Sequence, residues 1–165
     1  MPKRYVGLDA SAVLTSRHEP VVASVGLPFL LAEVTPEAIG AARPDAGATA
    51  HAARRFPFRS GRFSIHIYAR TPGRSDGADL RARMFSPLGG TGEDPATGSA
   101  NGALIALLAS LDPAADTVLA LDVLQGVEVG RPSFLKVSAE KTDGAVTRVR
   151  VGGRCAPVME GTLTV

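Results

Sequence analysis

The sequence predicts an α+β fold in which a curved mixed β-sheet, or open barrel, wraps around one buried central helix. Most of the chain consists of strand-like runs separated by turns. One long stretch, in contrast, is apolar in every direction when it is plotted as a helix. Its apolar residues include Ala100, Ala103, Leu104, Ile105, Leu107, Leu108 and Leu111, which together cover every direction. A helix of this kind has to be buried on all sides, and strands that curl around it would bury it.

The composition is that of an ordinary globular protein. Of the 165 residues, 45% are hydrophobic and 21% are charged, which predicts a single domain over residues 1–165 with a sizeable core. The net charge is only +2 and aromatic residues make up 5% of the chain, so we expect no nucleic-acid partner. We interpret an arginine-rich stretch in the middle of the chain as a solvated surface or an interface.

The single cysteine and the scattered histidines predict no metal site. Cys155 has no Cys or His residues near it at metal-ligand spacing, and one cysteine suits a reducing compartment. No apolar run is long enough for a signal peptide or a membrane span, so we expect a cytoplasmic protein that does not contact a membrane. We expect Cys155 to be a buried structural thiol and His66 to be an exposed strand residue, with His18 and His51 solvated.

Five elements are predicted before the central helix. The run from Pro20 to Val34 is strand-like, with a break near its middle. Thr35 to Ala42 has the cap and first-turn proline of a short helix. Residues 43–51 predict a loop or a second short helix. Gly61 to Arg70 alternates as a strand with one buried face, and Leu80 to Phe85 alternates in the same way.

Three strand-like runs follow the helix, giving six to eight strands in all. They cover Thr117 to Gly126, Ser133 to Glu140 and Val146 to Val165. Between the last two, Asp143-Gly144 predicts a hairpin because both residues tolerate a positive φ.

Two adjacent acids, Glu93 and Asp94, stand directly before the long uncharged run. We expect the helix to begin between Thr97 and Ser99, so that its free N–H groups and its dipole favour an anion at this point. Asp94 before Pro95 is also a good helix cap, and that simpler interpretation stays open. Two acids are more than a cap requires, and a partly desolvated carboxylate is a candidate acid–base group.

The segment RMFSPLGGTGEDPATGSANGALIALL resembles the signature of the phenazine-biosynthesis PhzF-like isomerases, which are relatives of diaminopimelate epimerase. The segments ASVGLPFLLAEV, QGVEVGRPSFLKV and VGGRCAPVMEGTLTV extend the resemblance over nearly the whole chain. The resemblance implies two similar domains, each a barrel around a helix, with the active site between the two helix N-termini. It also implies a cofactor-independent proton shuttle on a small carboxylate-bearing substrate.

The resemblance also implies roles for individual residues of this sequence. The candidate catalytic residues are Asp94, Ser99 and Glu93. The candidate substrate-binding residues are Thr97, Gly98, Ala100, Gly126 and Arg131.

Members of the family carry a further domain before this one, and that domain supplies a catalytic Glu and a Gly-His motif. This sequence holds neither, so it resembles the C-terminal half alone, without the N-terminal catalytic half. We expect activity only with a separate chain that supplies the N-terminal half, or as a homodimer. The alternatives are a non-catalytic half-domain that binds small carboxylates and a purely structural fragment.

Overall fold

The computed structural model describes residues 5–55, 63–71, 73 and 77–163. These residues form two α-helices, α1 and α2, nine β-strands and two short 3-10 turns. The helices are α1 (Ala46–Arg55) and α2 (Gly98–Ser110), and the 3-10 turns are Ala10–Ala12 and Ile39–Ala41. The strands are β1 (Val13–Leu14), β2 (Val21–Ser24), β3 (Pro28–Val34), β4 (Ile65–Arg70), β5 (Leu80–Ser86), β6 (Thr91–Asp94), β7 (Thr117–Gln125), β8 (Ser133–Thr142) and β9 (Ala145–Gly153).

All nine of these strands join one mixed sheet. Its order is β1-β3-β4-β5-β7-β8-β9, while β2 pairs with β3 and β6 pairs with β5. The pairs β3–β4 and β5–β7 are parallel and the others are antiparallel. The described strands exceed the predicted six to eight because β1 and β6 are too short to show a clear alternation.

Helix α2 lies in the curve of this sheet and packs against β2, β3, β7, β8 and β9. The buried residues of the helix include Leu104 at 1% and Ile105 at 0% exposure, within one cluster that also draws side chains from β3, β4, β5, β7 and β8. A Cβ added at Gly102 would lie 3.2 Å from Val25 and 3.5 Å from Val151, so the small residue lets both sides of the sheet approach the helix. The predicted α+β fold with a sheet around one helix is confirmed, and the sheet is not closed into a barrel.

The opposite face of the middle strands is also buried. Residues of β3, β4 and β5 form a second cluster there, together with Ile39, Ala52 of α1 and Val6. The prediction that residues 61–70 form a strand with only one buried face is therefore wrong for the described part, β4. Polar residues alternate along β4, but both of its faces are covered, by α2 on one side and by the N-terminal segments on the other.

Three local predictions can be compared with the structure. The Asp143-Gly144 hairpin between β8 and β9 is confirmed, with φ of 50° and 79° at the two residues. Thr35 to Ala42 forms a turn and the 3-10 helix Ile39–Ala41 instead of an α-helix. Residues 154–163 form neither helix nor strand, and Cys155 among them is exposed, so the expected buried thiol is wrong.

Within the described residues, no helix has the length and apolar character needed to cross a membrane.

His66 is a fully buried titratable residue of β4. Its exposure is 0%, and neither ring nitrogen has a hydrogen-bond partner. It shares its strand face with Tyr68 and so faces α2, which corrects the expectation of an exposed histidine. Burial lowers the pKa of His66 from 6.5 to about 4, and the neighbouring Asn101 amide opposes that shift.

We expect the burial of His66 to make stability depend on pH. The unfolded chain takes up this proton as pH falls below about 6.5, whereas the folded protein takes it up only near pH 4. The free energy of unfolding should therefore be retained above pH 6.5 and should fall by about 3 kcal/mol between pH 6.5 and pH 4.

Urea titrations across this range, for wild type and His66→Asn, would show the wild type losing more stability. His51→Asn, at an exposed position of α1, is the control and should keep the wild-type slope. Equal slopes for all three proteins would contradict the prediction.

We expect Leu104→Ala to lower the free energy of unfolding by about 2–5 kcal/mol, because it leaves a cavity in the cluster around α2. Leu111→Ala, at the C-terminal end of the same helix where the side chain is 45% exposed, is the matched control and should cost much less. Denaturant unfolding of both variants measures the difference. A cost at Leu104 no greater than that at Leu111 would show that α2 is not the centre of the core.

Candidate functional site

Strands β5 and β6 place the two adjacent acids on opposite faces of the sheet. In the antiparallel register Glu93 stands opposite Phe85, and Asp94 stands opposite Met84. Met84 belongs to the cluster around α2 and Phe85 to the cluster on the other face. The strand alternation alone therefore gives Glu93 and Asp94 different surroundings.

Glu93 is held by Arg83 in a two-pronged ion pair. The Arg83 Nε donates to Glu93 Oε1 at 2.8 Å, and Nη2 donates to Oε2 at 2.7 Å. Arg83 is 3% exposed, and its Nη1 donates to the carbonyl oxygens of Ile39 and Ala42, each at 3.0 Å. Both oxygens of Glu93 are therefore engaged, and the pair ties β5 and β6 to the 3-10 turn.

The neighbouring arginines of β4 and β5 are also paired. Arg81 donates to Glu128 at 2.5 Å, and Arg70 lies 3.3 Å from Glu33. The Arg81 and Arg83 side chains are only 12% and 4% exposed. The interpretation of the arginine-rich stretch in the middle of the chain as a solvated surface is therefore wrong for these two residues. Arg59, Arg62 and Arg74 of that stretch lie outside the described residues.

Asp94 has a different set of partners at the start of α2. Its Oδ2 accepts a hydrogen bond from the Thr97 hydroxyl at 2.8 Å. Its Oδ1 has only a long contact of 3.4 Å with the Ala96 N–H. Asp94 is partly exposed, so one carboxylate oxygen is firmly bound and the other is much less engaged.

Helix α2 begins as predicted, with Thr97 as N-cap and Gly98 as the first helical residue. The Thr97 side chain makes no capping bond to the helix: its hydroxyl donates to Asp94 Oδ2, and its oxygen accepts from Gln125 Nε2. The first N–H groups of a helix have no intrahelical acceptor, and the helix dipole adds partial positive charge there. The predicted cap at Asp94 is thus replaced by a carboxylate that accepts a bond from the cap residue.

A cavity of about 330 Å³ opens at this helix start. Asp94, Thr97 and Ser99 line it on one side, and Ser64 and Ser86, whose hydroxyls lie 3.1 Å apart, line it on another. The remaining lining residues are Leu27, Pro28, Phe29, Met84, Gly89 and Thr91. Apolar walls with a few converging polar groups are typical of a small-molecule site.

Three of the predicted site residues meet in this cavity: Asp94, Thr97 and Ser99. Gly98 lies beside them, and a Cβ added there would meet only Val151, at 3.8 Å, so the backbone at the helix start is uncrowded. The others are elsewhere in the fold. Glu93 faces Arg83, Ala100 is fully buried inside the helix core, and Arg131 is exposed.

Gly126 lies where the backbone next to Asp94 crosses the end of β7. It has a φ of +83°, and a Cβ added to it would come within 2.6 Å of the Pro95 carbonyl oxygen and would also strike the Arg131 carbonyl oxygen. The two chain segments can therefore cross here only because residue 126 has no side chain. Gly126 lets the loop that carries Asp94 pack directly on the end of β7.

Gln125 is a residue of the site that the sequence interpretation missed. It is fully buried at the end of β7, and its amide binds Asp94, Thr97 and Asn101. The signal was a polar residue that ends an apolar strand directly before a glycine, but that pattern also fits an ordinary turn. Across the described residues, no group of three or more His, Cys, Asp or Glu side chains is arranged to hold a metal ion.

Comparison with known protein families matches residues 6–161 to the PhzC-PhzF model, described as phenazine biosynthesis-like protein. An uncharacterized isomerase of Mesorhizobium japonicum is 30% identical over 162 residues, which are 96% of this chain and 52% of that protein. The trans-2,3-dihydro-3-hydroxyanthranilate isomerase of Pseudomonas aeruginosa is 44% identical over 87 residues, 52% of this chain and 30% of that protein. The chain thus spans about half the length, or less, of these curated relatives.

Solved structures give the same picture of the fold. A PhzF-family phenazine biosynthesis protein of Bacillus anthracis superposes with a TM-score of 0.69 at 20% identity, covering 90% of this chain and 52% of the other. A predicted epimerase from Pseudomonas aeruginosa gives a TM-score of 0.56 at 29% identity, covering 96% of this chain and 51% of the other. The match of the family model over almost the whole sequence shows that the chain belongs to the PhzC-PhzF family of phenazine biosynthesis-like proteins.

Proposed function

We propose that this chain forms one half of a cofactor-independent isomerase that moves a proton on a small carboxylate-bearing metabolite, with Asp94 as the acid–base group. The observation that carries the proposal is the Asp94 carboxylate, which lines a cavity at the N-terminus of a buried helix and has one weakly engaged oxygen. The isomerase names of relatives that match this chain support the reaction class.

Of the two predicted acids, Glu93 and Asp94, only Asp94 fits the proton-exchanging role. A group that exchanges protons with a substrate needs an oxygen that the substrate can reach. Both oxygens of Glu93 are bonded to Arg83, on the face of β6 away from the cavity. In this proposal Glu93 holds β6 to β5 through Arg83, and Asp94, one residue later, exchanges the proton with the substrate.

Ser99 and the first N–H groups of α2 would bind the substrate carboxylate. A helix N-terminus attracts anions through its unpaired N–H groups and its dipole. Thr97 and Ser99 line the cavity, and Gly98 between them leaves the backbone accessible. The substrate carboxylate would therefore lie at the helix end, with its reacting carbon close to Asp94.

A second acid–base group has to come from outside the described half. Among the described residues that line the cavity, Asp94 is the only ionisable side chain. An isomerase that removes a proton at one position and returns it at another gains from a second group across the substrate. We therefore propose a partner, either a separate chain that supplies the other half or a second copy of this chain. We place the protein in the cytoplasm, which suits its exposed free thiol at Cys155.

The presence of one ionisable side chain, Asp94, among the described lining residues favours an alternative function for the chain as an isolated monomer. A single carboxylate at an anion-attracting helix start binds a small carboxylate but lacks the second group for efficient proton transfer. Such a chain would be a non-catalytic binding half-domain.

We expect the purified chain to assemble in solution. Light scattering should give a mass of at least twice the 17.0 kDa of one chain, or a complex with another protein in lysate of the source organism. A partner must cover the cavity at Asp94, so Ser99→Trp, at a lining position, should weaken the assembly. Val118→Trp, at a position 70% exposed on β7, is the control. A mass of one chain both in buffer and in lysate would leave only the binding half-domain.

We expect Asp94→Asn to lower turnover by the assembled protein at least 100-fold, because Asn cannot exchange a proton and positioned acid–base groups contribute roughly 10²–10⁴-fold. The probe is trans-2,3-dihydro-3-hydroxyanthranilate, followed by NMR. Asp143→Asn is the matched control, since Asn also tolerates the positive φ of that exposed hairpin residue. Turnover by wild type that is unchanged in Asp94→Asn would refute the role of Asp94. Binding of the probe without turnover would favour the binding half-domain.

A further inference from the structure

Gln125 uses its entire hydrogen-bonding capacity on the segment that carries Asp94. Its Nε2 donates to the Asp94 carbonyl oxygen at 2.7 Å and to the Thr97 hydroxyl oxygen at 3.0 Å. Its Oε1 accepts from the Thr97 N–H at 3.3 Å and from Asn101 Nδ2 at 2.8 Å. A glutamine amide offers two N–H donors and two acceptor lone pairs, so all four are used.

The orientation of this amide follows from chemistry. The Thr97 carbonyl oxygen can only accept, and it lies 2.9 Å from Asn101, so the Asn101 atom there has to be the nitrogen. That nitrogen and the Thr97 N–H can only donate to Gln125, so the Gln125 atom facing them has to be Oε1. Nε2 then faces Asp94 and Thr97 and donates to both.

This orientation determines the direction of the Thr97 hydroxyl. Because the Thr97 Oγ1 accepts a hydrogen from Gln125, its own hydrogen is left to point at Asp94 Oδ2, 2.8 Å away. Oδ2 is then held as an acceptor. Oδ1, with only the 3.4 Å contact to the Ala96 N–H, is left to exchange a proton.

We propose that Gln125 is a positioning residue for the reaction: through the Thr97 hydroxyl it holds Asp94 in one orientation, in which Oδ1 is the proton-exchanging oxygen. This inference rests on the proposed function of Asp94. Gln125 does not line the cavity and acts only through its neighbours. The Gln125 side chain also bonds to the Asp94 carbonyl oxygen and to the Thr97 N–H, and so it links the two ends of the segment from Asp94 to Thr97.

The first test measures kinetics with the assembled protein. Gln125→Met keeps the length of the side chain without its donors, and Thr97→Val keeps the shape of threonine without its hydroxyl. Each should lower kcat for the dihydrohydroxyanthranilate probe about 10- to 100-fold and should change KM less than about threefold. Thr97→Ser restores the hydroxyl and should recover most of kcat.

The double variant Gln125→Met/Thr97→Val separates positioning from general damage. Because both residues act along one path to Asp94, the double variant should be little worse than either single variant. Effects on kcat that multiply, or losses confined to KM, would overturn the inference.

Lys141→Met is the stability control at the opposite end of α2. Lys141 is 7% exposed and donates to the Asp112 carbonyl oxygen at 2.6 Å, so its loss also removes a buried polar contact to the helix region. It should lower the melting temperature while leaving kcat unchanged. An equal loss of kcat in this variant would show that any damage to α2 impairs turnover, and would overturn the inference.

A second measurement does not depend on turnover. The Thr97 hydroxyl proton should give an NMR resonance protected from exchange in wild type, with NOEs to the Gln125 amide protons. Thr97→Ser should keep such a resonance, whereas Gln125→Met should lose its protection. Its persistence in Gln125→Met would overturn the inference. The expected NMR result together with an inactive wild-type assembly would support the positioning geometry and would place the failure in the proposed function.

Discussion

The burial of the apolar residues of α2 is the constraint on which the rest of the structure depends. An apolar helix of 13 residues cannot be left beside water, so the sheet has to pass along several of its sides. The same burial creates a problem at the N-terminus of the helix, where polar N–H groups lack partners. The chain meets this problem with a polar loop and with Gln125 from β7, and the cavity lies at this point. The fold and the candidate site are therefore consequences of one arrangement.

The Arg83–Glu93 pair shows how two adjacent acids come to do different things. A buried arginine needs a partner, and Glu93 supplies it while backbone carbonyls take the remaining donor. Since side chains alternate along β6, the anchoring of Glu93 to one face directs Asp94 to the face near α2. Loss of one partner would leave the other buried and charged, which typically costs about 3–5 kcal/mol. In this way an ion pair outside the cavity helps to orient the carboxylate inside it.

The helix, its start and the last hairpin could be predicted from the sequence because local signals determine them. The apolar run, the residues at the helix start and Asp143-Gly144 carry their structural meaning within a few positions. The burial of His66 could not be predicted in this way, because alternation of polar residues indicates a solvated face only when nothing packs there. The role of Gln125 depends on three partners that are 24 to 31 residues away in sequence. Such contacts leave no mark on local periodicity.

The arrangement around residue 97 bears on how a site of this kind handles two negative groups. A substrate carboxylate and the Asp94 carboxylate repel each other, so both remain charged at close range only if each has its own donors. The Thr97 hydroxyl, oriented by Gln125, donates to Asp94, and the first N–H groups of the helix that begins at Gly98 have no intrahelical acceptor. If a helix N–H donated to Asp94 directly, Asp94 and the substrate carboxylate would compete for the same N–H donors. The absence of a capping bond from the Thr97 side chain is therefore consistent with a helix start that receives an anion from outside.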